Sequence, residues 1–437
     1  MSFPAPDTYI VEGGKPLSGV LKPSGSKNAA LPILAACLLT DDDVTLHNLP
    51  DIRDVRSMLS LLESIGVSIS HTVDGSTRLN ASDINPDNID LAVCREIRAS
   101  ILLAGPLTAR TGRVNLPLPG GDIIGRRRLD THFLMLEQMG ADVNFSDRML
   151  SFSSKGLKGK FVFLDEPSVT ATENAIMAAT LADGNTVIYN AACEPNVQDL
   201  ANMLASMGAE ITGIGTNRIQ VTGSNSILKG TEYSIAPDHI EIGSFIGLAA
   251  CCGGTVKIPD VPPDILGPTM NGFSRLGVSV ESNQKYVIID GTSELVVQPD
   301  RGGSIPTIYD APWPGFSPDL TSTAVVVATQ ARGTSLVFEK MFESRLFFVD
   351  KLVSMGAGII QCDPHRVVIS GPSRLHGTDV SSPDIRAGMA LLTAALCAEG
   401  TSIIRNVHQI ERGYENLVDR LKNLGADITA GPSYESL

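Results

Sequence analysis

The sequence predicts an α/β protein built from six copies of one unit and arranged as two lobes of three. The first observation behind this is a recurring phrase, an apolar helical stretch that runs into glycine and then a short strand. It reads Ile65-Gly66-Val67, Met139-Gly140-Ala141, Met207-Gly208-Ala209, Leu276-Gly277-Val278, Met355-Gly356-Ala357 and Leu424-Gly425-Ala426. The glycines return roughly every 70 residues, the mark of a repeated supersecondary unit. Each stands where a helix C-terminus needs a residue tolerant of positive φ, and the text after it alternates as a strand does, as in Ala141-Asp142-Val143-Asn144-Phe145. The second observation is another phrase in phase with the first, a Gly-Thr or Asp-Val step leading into a strand. Examples are Gly184-Asn185-Thr186-Val187-Ile188-Tyr189, Gly254-Thr255-Val256-Lys257-Ile258, Gly333-Thr334-Ser335-Leu336-Val337-Phe338 and Gly400-Thr401-Ser402-Ile403-Ile404. The third is length: 437 residues exceed what one core ordinarily holds.

If the units are equivalent, so are the polar loops that follow each strand. These are 51–55, 120–130, 194–199, 262–268, 342–347 and 410–416. Pseudo-symmetry gathers such loops on related faces, where a rigid scaffold can hold functional side chains.

Composition limits the function classes. With 43% apolar and 19% charged residues the chain can bury large cores. A formal charge of −14 argues against a nucleic-acid partner, which requires a broad positive surface, but leaves room for a small anion held by a local cluster of Arg and Lys. Residues 1–15 hold no long apolar run and no segment suits a membrane span, so a cytoplasmic chain is expected. The seven cysteines, without a C-x-x-C, lie mostly in apolar helical text such as Ala249-Ala250-Cys251-Cys252 and read as buried free thiols. The seven histidines form no ligand pair, and neither metal nor cofactor is expected.

Two stretches carry chemistry. Ser24-Gly25-Ser26-Lys27-Asn28-Ala29-Ala30-Leu31-Pro32 precedes an apolar helix expected over 33–39. Small residues there expose backbone N–H groups at a helix N-terminus and Lys27 adds a full charge, which suits an anion; an ordinary Ser-capped helix with a solvated Lys is the bland alternative. The spacing is not that of a Walker loop. In Pro119-Gly120-Gly121-Asp122-Ile123-Ile124-Gly125-Arg126-Arg127-Arg128-Leu129-Asp130, two glycines permit a sharp turn and close approach to a ligand. An acid and three arginines follow, and guanidinium groups match carboxylates and phosphates; a turn with a solvated Arg face is the alternative.

Seven further motifs accompany these two: Arg98-Ala99-Ser100, Ser168-Val169-Thr170-Ala171-Thr172-Glu173-Asn174, Pro237-Asp238-x-Ile240-Glu241, Pro318-Asp319, Phe342-Glu343-x-Arg345, Asp384-x-Arg386-Ala387 and Arg412-Gly413-Tyr414. In this order, over essentially the whole chain, they resemble the UDP-N-acetylglucosamine 1-carboxyvinyltransferase family, the enolpyruvyl transferases that open peptidoglycan precursor synthesis. The resemblance implies a two-lobed, inside-out α/β barrel fold of six βαβαββ-type units, three per lobe, with buried helices and outward-facing sheets. It places one lobe at 22–235, the other at 1–21 plus 236–437, and the active site in the cleft between them.

The implied reaction moves the enolpyruvyl group of phosphoenolpyruvate to the 3′-hydroxyl of UDP-N-acetylglucosamine by addition and then elimination of phosphate. Carbon 3 must gain and then lose a proton, and the sugar hydroxyl must lose one. By resemblance Asp122 is the general acid and Asp319 deprotonates the hydroxyl; as a bare motif Asp319 reads as a helix N-cap. Lys27, Arg98, Arg127, Arg345, Arg386 and Arg412 match the cations that neutralise phosphoenolpyruvate, with Lys27 and Arg412 counted as catalytic, and the ligand's charge is expected to close the cleft. Glu343, Asp384 and Glu411 stand beside three of these arginines as candidates to hold them, and Asp54 and Glu241 match acidic positions near the cluster. Asn28, Arg128, Asp130 and Met341 match substrate-binding positions, Met341 beside the sugar. Ser168, Val169 and Thr170 match the segment that contacts the nucleotide diphosphate.

Departures from the family pattern also matter. Position 122 is most often Cys, the thiol that fosfomycin alkylates; a carboxylate is a poor nucleophile toward that epoxide, so resistance is expected. The usual Gly-x-Arg-Pro beside the uracil reads Gly125-Arg126-Arg127-Arg128, where the guanidinium plane of Arg128 can stack on a base. Glu166 replaces a frequent Lys and His239 a frequent Arg. The alternatives are an enolpyruvyl transferase acting on another nucleotide sugar or on shikimate 3-phosphate, and a non-catalytic ligand-binding paralogue. Joint presence of Asp122 and Asp319 counts against the last.

Overall fold

The computed structural model describes residues 7–122, 124–224, 226–283 and 285–431. Residues 1–6 and 432–437 of the expected second lobe, and Ile123 of the Gly-Gly loop, lie outside the described residues. The six glycines of the repeated phrase all take positive φ, from +86° at Gly277 to +108° at Gly66. Each ends a helix and releases a strand: Gly140 joins the helix Asp130–Gln138 to the strand Asp142–Ser146, and Gly425 joins Leu417–Asn423 to Asp427–Gly431.

A complete βαβαββ unit runs from the strand Phe161–Phe163 through the helix Val169–Thr180, the strand Asn185–Tyr189 and the helix Pro195–Ser206 to the strands Glu210–Thr212 and Arg218–Thr222. Its strands form one sheet, with Ile188 opposite Val162 in a parallel pair and opposite Ile219 in an antiparallel one. Alternation assigns the faces: Val162, Ile188, Ile219 and Val221 are buried on the helical side, whereas Phe161, Phe163 and Tyr189 are exposed. The order recurs from the strand Thr307–Tyr309 to the strand Arg366–Gly371. Where the repeat varies, short helical turns at Pro86–Asn88 and Leu91–Cys94 replace a leading strand, so the sheet of Arg113–Pro117, Asp142–Ser146 and Met149–Ser153 has three strands while the other five have four. The layering is inside-out. The helices Lys27–Ala36, Val169–Thr180, His239–Cys251, Thr321–Gln330 and Ile385–Cys397 are buried on nearly every side and rich in Ala, Gly, Ser and Thr, small residues that let helix axes approach closely. The described strands form six separate sheets, one to each repeated unit.

The chain divides into two compact units, one of residues 25–122 and 127–236, the other of 1–24, 123–126 and 237–437. Each has its own core, Ile33, Leu38 and Phe152 in the first and Phe245, Phe273 and Phe348 in the second. The strand Gly19–Val20 leads into the helix Lys27–Ala36 in sequence but pairs with Val256 and Lys257 in the second unit's sheet. Conversely, Thr231–Ser234 precedes the second unit's helix His239–Cys251 but pairs with Val44–His47 in the first.

Several expectations change. The helix expected from Ile33 begins at Lys27, because Ser26 caps it by accepting from the Ala29 N–H at 3.3 Å and Pro32 is accommodated inside it. Stretches 194–199 and 262–268 are mostly first helical turns rather than loops: Pro195 and Pro263 open the helices Pro195–Ser206 and Pro263–Phe273, where proline's fixed φ fits and its missing N–H costs nothing. Likewise Arg53 opens the helix Arg53–Ser64 inside 51–55, and His408–Glu411 is helical at the start of 410–416. All seven cysteines are free; Cys37, Cys94 and Cys252 are buried as expected, but Cys193, Cys251 and Cys397 are half-buried and Cys362 is exposed on an outward-facing strand. Among the described residues no helix is long and apolar enough to cross a membrane.

Candidate functional site

In the first unit, Lys27 is the first residue of its helix and is buried, its Nζ 2.8 Å from Oδ2 of Asp54 in the first turn of Arg53–Ser64. Asn28 beside it is half-buried. The double glycine is demanded by close packing: a Cβ at Gly120 would lie 1.9 Å from the Arg95 carbonyl oxygen, and Gly121, at φ +101°, would bring one within 2.9 Å of the Arg98 Cβ. Asp122 follows, half-buried, at the end of this turn. Arg98 reaches back across the loop, its Nη2 donating to the carbonyls of Arg127 at 2.8 Å and Arg128 at 3.2 Å. Burial and the neighbouring Arg127 push the Arg98 guanidinium down to about 10. Arg128 is exposed and bridges two carboxylates, Asp130 at 3.2 Å and Asp165 at 3.3 Å. Ser168 caps the helix Val169–Thr180, accepting from the Ala171 N–H at 3.4 Å, so Val169 and Thr170 form its half-buried first turn.

In the second unit, Asp319 is not the N-cap that its bare motif suggests; Ser317 caps that turn, which leaves the Asp319 carboxylate available to side chains. Its Oδ1 accepts from Nη2 of Arg345 at 2.8 Å and its Oδ2 from Nε of Arg386 at 3.1 Å. Both arginines are buried while Asp319 keeps about a quarter of its side chain exposed, so the carboxylate is the outward member of the trio. Asp384 caps the helix Ile385–Cys397 through the N–H groups of Arg386 and Ala387 and stands 3.8 Å from Nη1 of Arg345. Burial opposes charge on Arg386, but Asp319, Tyr414 and Asp238 outweigh it and hold the guanidinium protonated; Tyr414 Oη also accepts from its Nη1 at 3.3 Å. Arg412 is half-buried and donates to Gln409 at 3.0 Å.

The acidic residues expected beside the arginines divide. Asp384 does contact the cluster. Glu343 instead accepts the Arg126 N–H at 3.1 Å, Ser344 donates to the Ile124 carbonyl, and a Cβ at Gly125 would strike the Glu343 carboxylate at 2.3 Å, so this acid anchors the segment 124–126. Glu411 accepts from the Tyr9 hydroxyl at 3.0 Å. Glu241, whose carboxyl is raised by burial despite its cation, forms an ion pair with Arg420 at 2.6 Å that also binds the Ser24 N–H. Met341 is exposed, held by its backbone N–H on Glu339 at 3.2 Å. His239 is buried edge-on against Trp313, and burial pushes its imidazole down, so it adds no cation in place of the missing Arg.

Sequence reasoning passed over two buried polar networks. His132 bridges Thr170 and Asn174. Asp310 and Glu339, both fully buried, together accept the N–H groups of Lys340, Met341 and Phe342 beneath the segment that carries Met341 and Arg345. Neither has a local signature; each joins residues brought together by tertiary packing. Among the described residues no group of three or more His, Cys, Asp or Glu is placed to hold a metal ion.

Comparison with known proteins gives this arrangement a family. The profile described as EPSP synthase (3-phosphoshikimate 1-carboxyvinyltransferase) matches residues 11–421. A UDP-N-acetylglucosamine 1-carboxyvinyltransferase from Bradyrhizobium diazoefficiens is 54% identical over 432 residues, covering 99% of this chain and all of the relative. Proteins of the same name from Treponema denticola and Borreliella burgdorferi are 54% and 53% identical, each over 96% of this chain and 98% of the relative. Among solved structures, the enolpyruvyl transferase NikO from Streptomyces tendae superposes with a TM-score of 0.86 at 24% identity, over 98% of this chain and all of NikO. An EPSP synthase from Acinetobacter baumannii gives 0.72 at 16% identity, over 97% of this chain and all of the other; at these identities the structures establish the inside-out α/β fold. The chain belongs to the EPSP synthase family of carboxyvinyltransferases, on the branch formed by the UDP-N-acetylglucosamine 1-carboxyvinyltransferases.

Proposed function

We propose that this protein transfers the enolpyruvyl group of phosphoenolpyruvate to the 3′-hydroxyl of UDP-N-acetylglucosamine and releases phosphate, the step that commits the sugar to peptidoglycan. The observation that carries the reading is full-length identity of 54% to enzymes named for this reaction, in a chain that retains two carboxyl groups and six cations at the motif positions.

In the first step the sugar oxygen forms a bond to carbon 2 of phosphoenolpyruvate while carbon 3 takes up a proton. Asp122 gives that proton and Asp319 takes the one leaving the hydroxyl. In the second step carbon 3 loses a proton, the double bond re-forms and the carbon 2–phosphate bond breaks. One C–O bond replaces another without net oxidation, so the chemistry asks for no redox cofactor. Lys27, Arg98, Arg127, Arg345, Arg386 and Arg412 neutralise the phosphate and carboxylate of the donor, and a cation already held in place by a carboxylate needs little reorganisation when the anion arrives. Asp54 does this for Lys27, and Asp319 with Asp384 does it for Arg345. Asn28, Arg128, Asp130 and Met341 bind the nucleotide sugar, with Ser168, Val169 and Thr170 at its diphosphate. The substrates belong to the cytoplasm, which is where the reading places the protein.

Asp122 carries a second consequence, indifference to fosfomycin, because an epoxide is opened far less readily by a carboxylate than by a thiolate. Incubation with fosfomycin should leave the mass of the parent unchanged, whereas Asp122→Cys should gain one covalent adduct; an adduct on the parent contradicts this part of the reading. Catalysis itself is tested by mass analysis of the nucleotide sugar after incubation with phosphoenolpyruvate. The parent should add one enolpyruvyl group, and Asp122→Ala and Asp319→Ala should each reduce the rate at least about a hundredfold. A parent that leaves the sugar unchanged would favour a ligand-binding paralogue.

A further inference from the structure

His132 is 1% exposed and Asn174 wholly buried, and they form an ordered polar chain ending at the half-buried Thr170. Asn174 fixes the chain's direction. Its Oδ1 accepts from the Gly105 N–H at 2.8 Å and its Nδ2 donates to the Ile101 carbonyl at 2.8 Å, so the amide has only one orientation. A side chain at 105 would exclude this contact, since a Cβ there would lie 2.6 Å from that Oδ1. The remaining Nδ2 hydrogen points at His132 Nδ1, 3.0 Å away, which must therefore be the unprotonated, accepting nitrogen. The ring proton is then on Nε2, 3.0 Å from Thr170 Oγ1, and the imidazole donates to the hydroxyl. Burial and the nearby Arg98 push His132 down to about 3, in agreement with a neutral ring.

The consequence falls on Thr170. A hydroxyl that receives a hydrogen bond from a fixed donor has its own hydrogen left to give. Thr170 is in the first turn of the helix Val169–Thr180, where free backbone N–H groups and the helix dipole also favour an anion. We propose that His132, through Asn174, is a positioning residue for the nucleotide sugar: it turns the Thr170 hydroxyl into a fixed hydrogen-bond donor for a diphosphate oxygen. This rests on the reading that Ser168, Val169 and Thr170 meet the diphosphate. Without His132 the hydroxyl can rotate and present a lone pair to the anion, and binding loses the benefit of a preset donor.

Calorimetric binding of UDP-N-acetylglucosamine to the full chain, with KM for both substrates, tests the proposal. Thr170→Val should weaken nucleotide-sugar binding about tenfold, the scale of one hydrogen bond to a charged group, and leave the KM for phosphoenolpyruvate unchanged; Thr170→Ser should bind as the parent does. His132→Leu should weaken binding by a similar factor in the parent background and by nothing further when combined with Thr170→Val. His132→Gln, which can accept from Asn174 and donate to Thr170, should recover most of the loss. The proposal is overturned if Thr170→Val binds as tightly as the parent, or if His132→Leu weakens binding equally with and without the Thr170 hydroxyl, the sign of a purely structural histidine. Should His132→Leu not fold, the Thr170 pair and His132→Gln decide the matter. A parent that turns over the nucleotide sugar while Thr170→Val binds normally refutes the inference alone; a parent that neither binds nor converts it refutes the underlying function as well.

Discussion

Replacing Glu339 by Gln should make the second unit much less sensitive to alkali. Glu339 and Asp310 are both fully buried, and each uses one oxygen to accept backbone N–H groups of the segment 340–342. Their other oxygens, Glu339 Oε2 and Asp310 Oδ2, are buried as well, where an ionised carboxylate is costly. Burial and the adjacent Asp310 push Glu339 up from 4.5 to about 8, against the pull of Arg345. A carboxyl raised in the folded state costs stability as pH rises from its unfolded value and reaches the full cost above its folded value. The window is therefore pH 4.5 to 8, and about 3.5 units at 1.36 kcal/mol each sets a ceiling of about 5 kcal/mol. Glutamine keeps an oxygen for the Met341 and Phe342 N–H groups and offers an N–H to Asp310, so it imitates the protonated acid. Trp313, the sole tryptophan, lies in the second unit and reports its unfolding in urea by fluorescence. Glu339→Gln should match the parent to within about 1 kcal/mol at pH 5 and exceed it by about 3 to 5 kcal/mol at pH 9. Parallel stability profiles for the two proteins from pH 5 to 9 would refute the raised Glu339 carboxyl.

Lys27→Met should abolish turnover and lower stability by about 3 kcal/mol in urea melts, because it leaves Asp54 buried without its cation 2.8 Å away; full activity in this variant would exclude Lys27 from the chemistry. Arg420→Met should also cost about 3 kcal/mol, since Glu241 is 1% exposed and paired to Arg420 at 2.6 Å, yet turnover per folded molecule should stay at the parent level. That loss should grow with pH, as an uncompensated buried carboxyl prefers its proton, and adding Glu241→Gln should recover part of it.

The features most legible in the sequence are those with a local backbone cause. The six glycines needed positive φ and a strand after them, and a period shared by all six turned a common turn into a repeat. The double glycine at 120 and 121 was equally readable, although what it packs against, Arg95 and Arg98, was not. Helix starts were misplaced where proline stands in or near the first turn: the helix expected from Ile33 begins at Lys27 with Pro32 inside it, and Pro195 and Pro263 open helices within stretches expected to be loops. Among charged groups, the partners of Arg345 and Arg386 were only half anticipated, because Asp319 is far from both in sequence. Proximity in sequence even misled for Glu343, which anchors the segment 124–126 rather than Arg345. The His132 and Glu339 networks depend on residues joined only by packing, and no spacing rule reaches them.

Phosphate release from phosphoenolpyruvate, measured with UDP-N-acetylglucosamine and then with shikimate 3-phosphate as acceptor, tests the central claim most directly. Release should require the nucleotide sugar and be lost in Asp122→Ala and Asp319→Ala. Release with shikimate 3-phosphate, or with neither acceptor, would contradict the account.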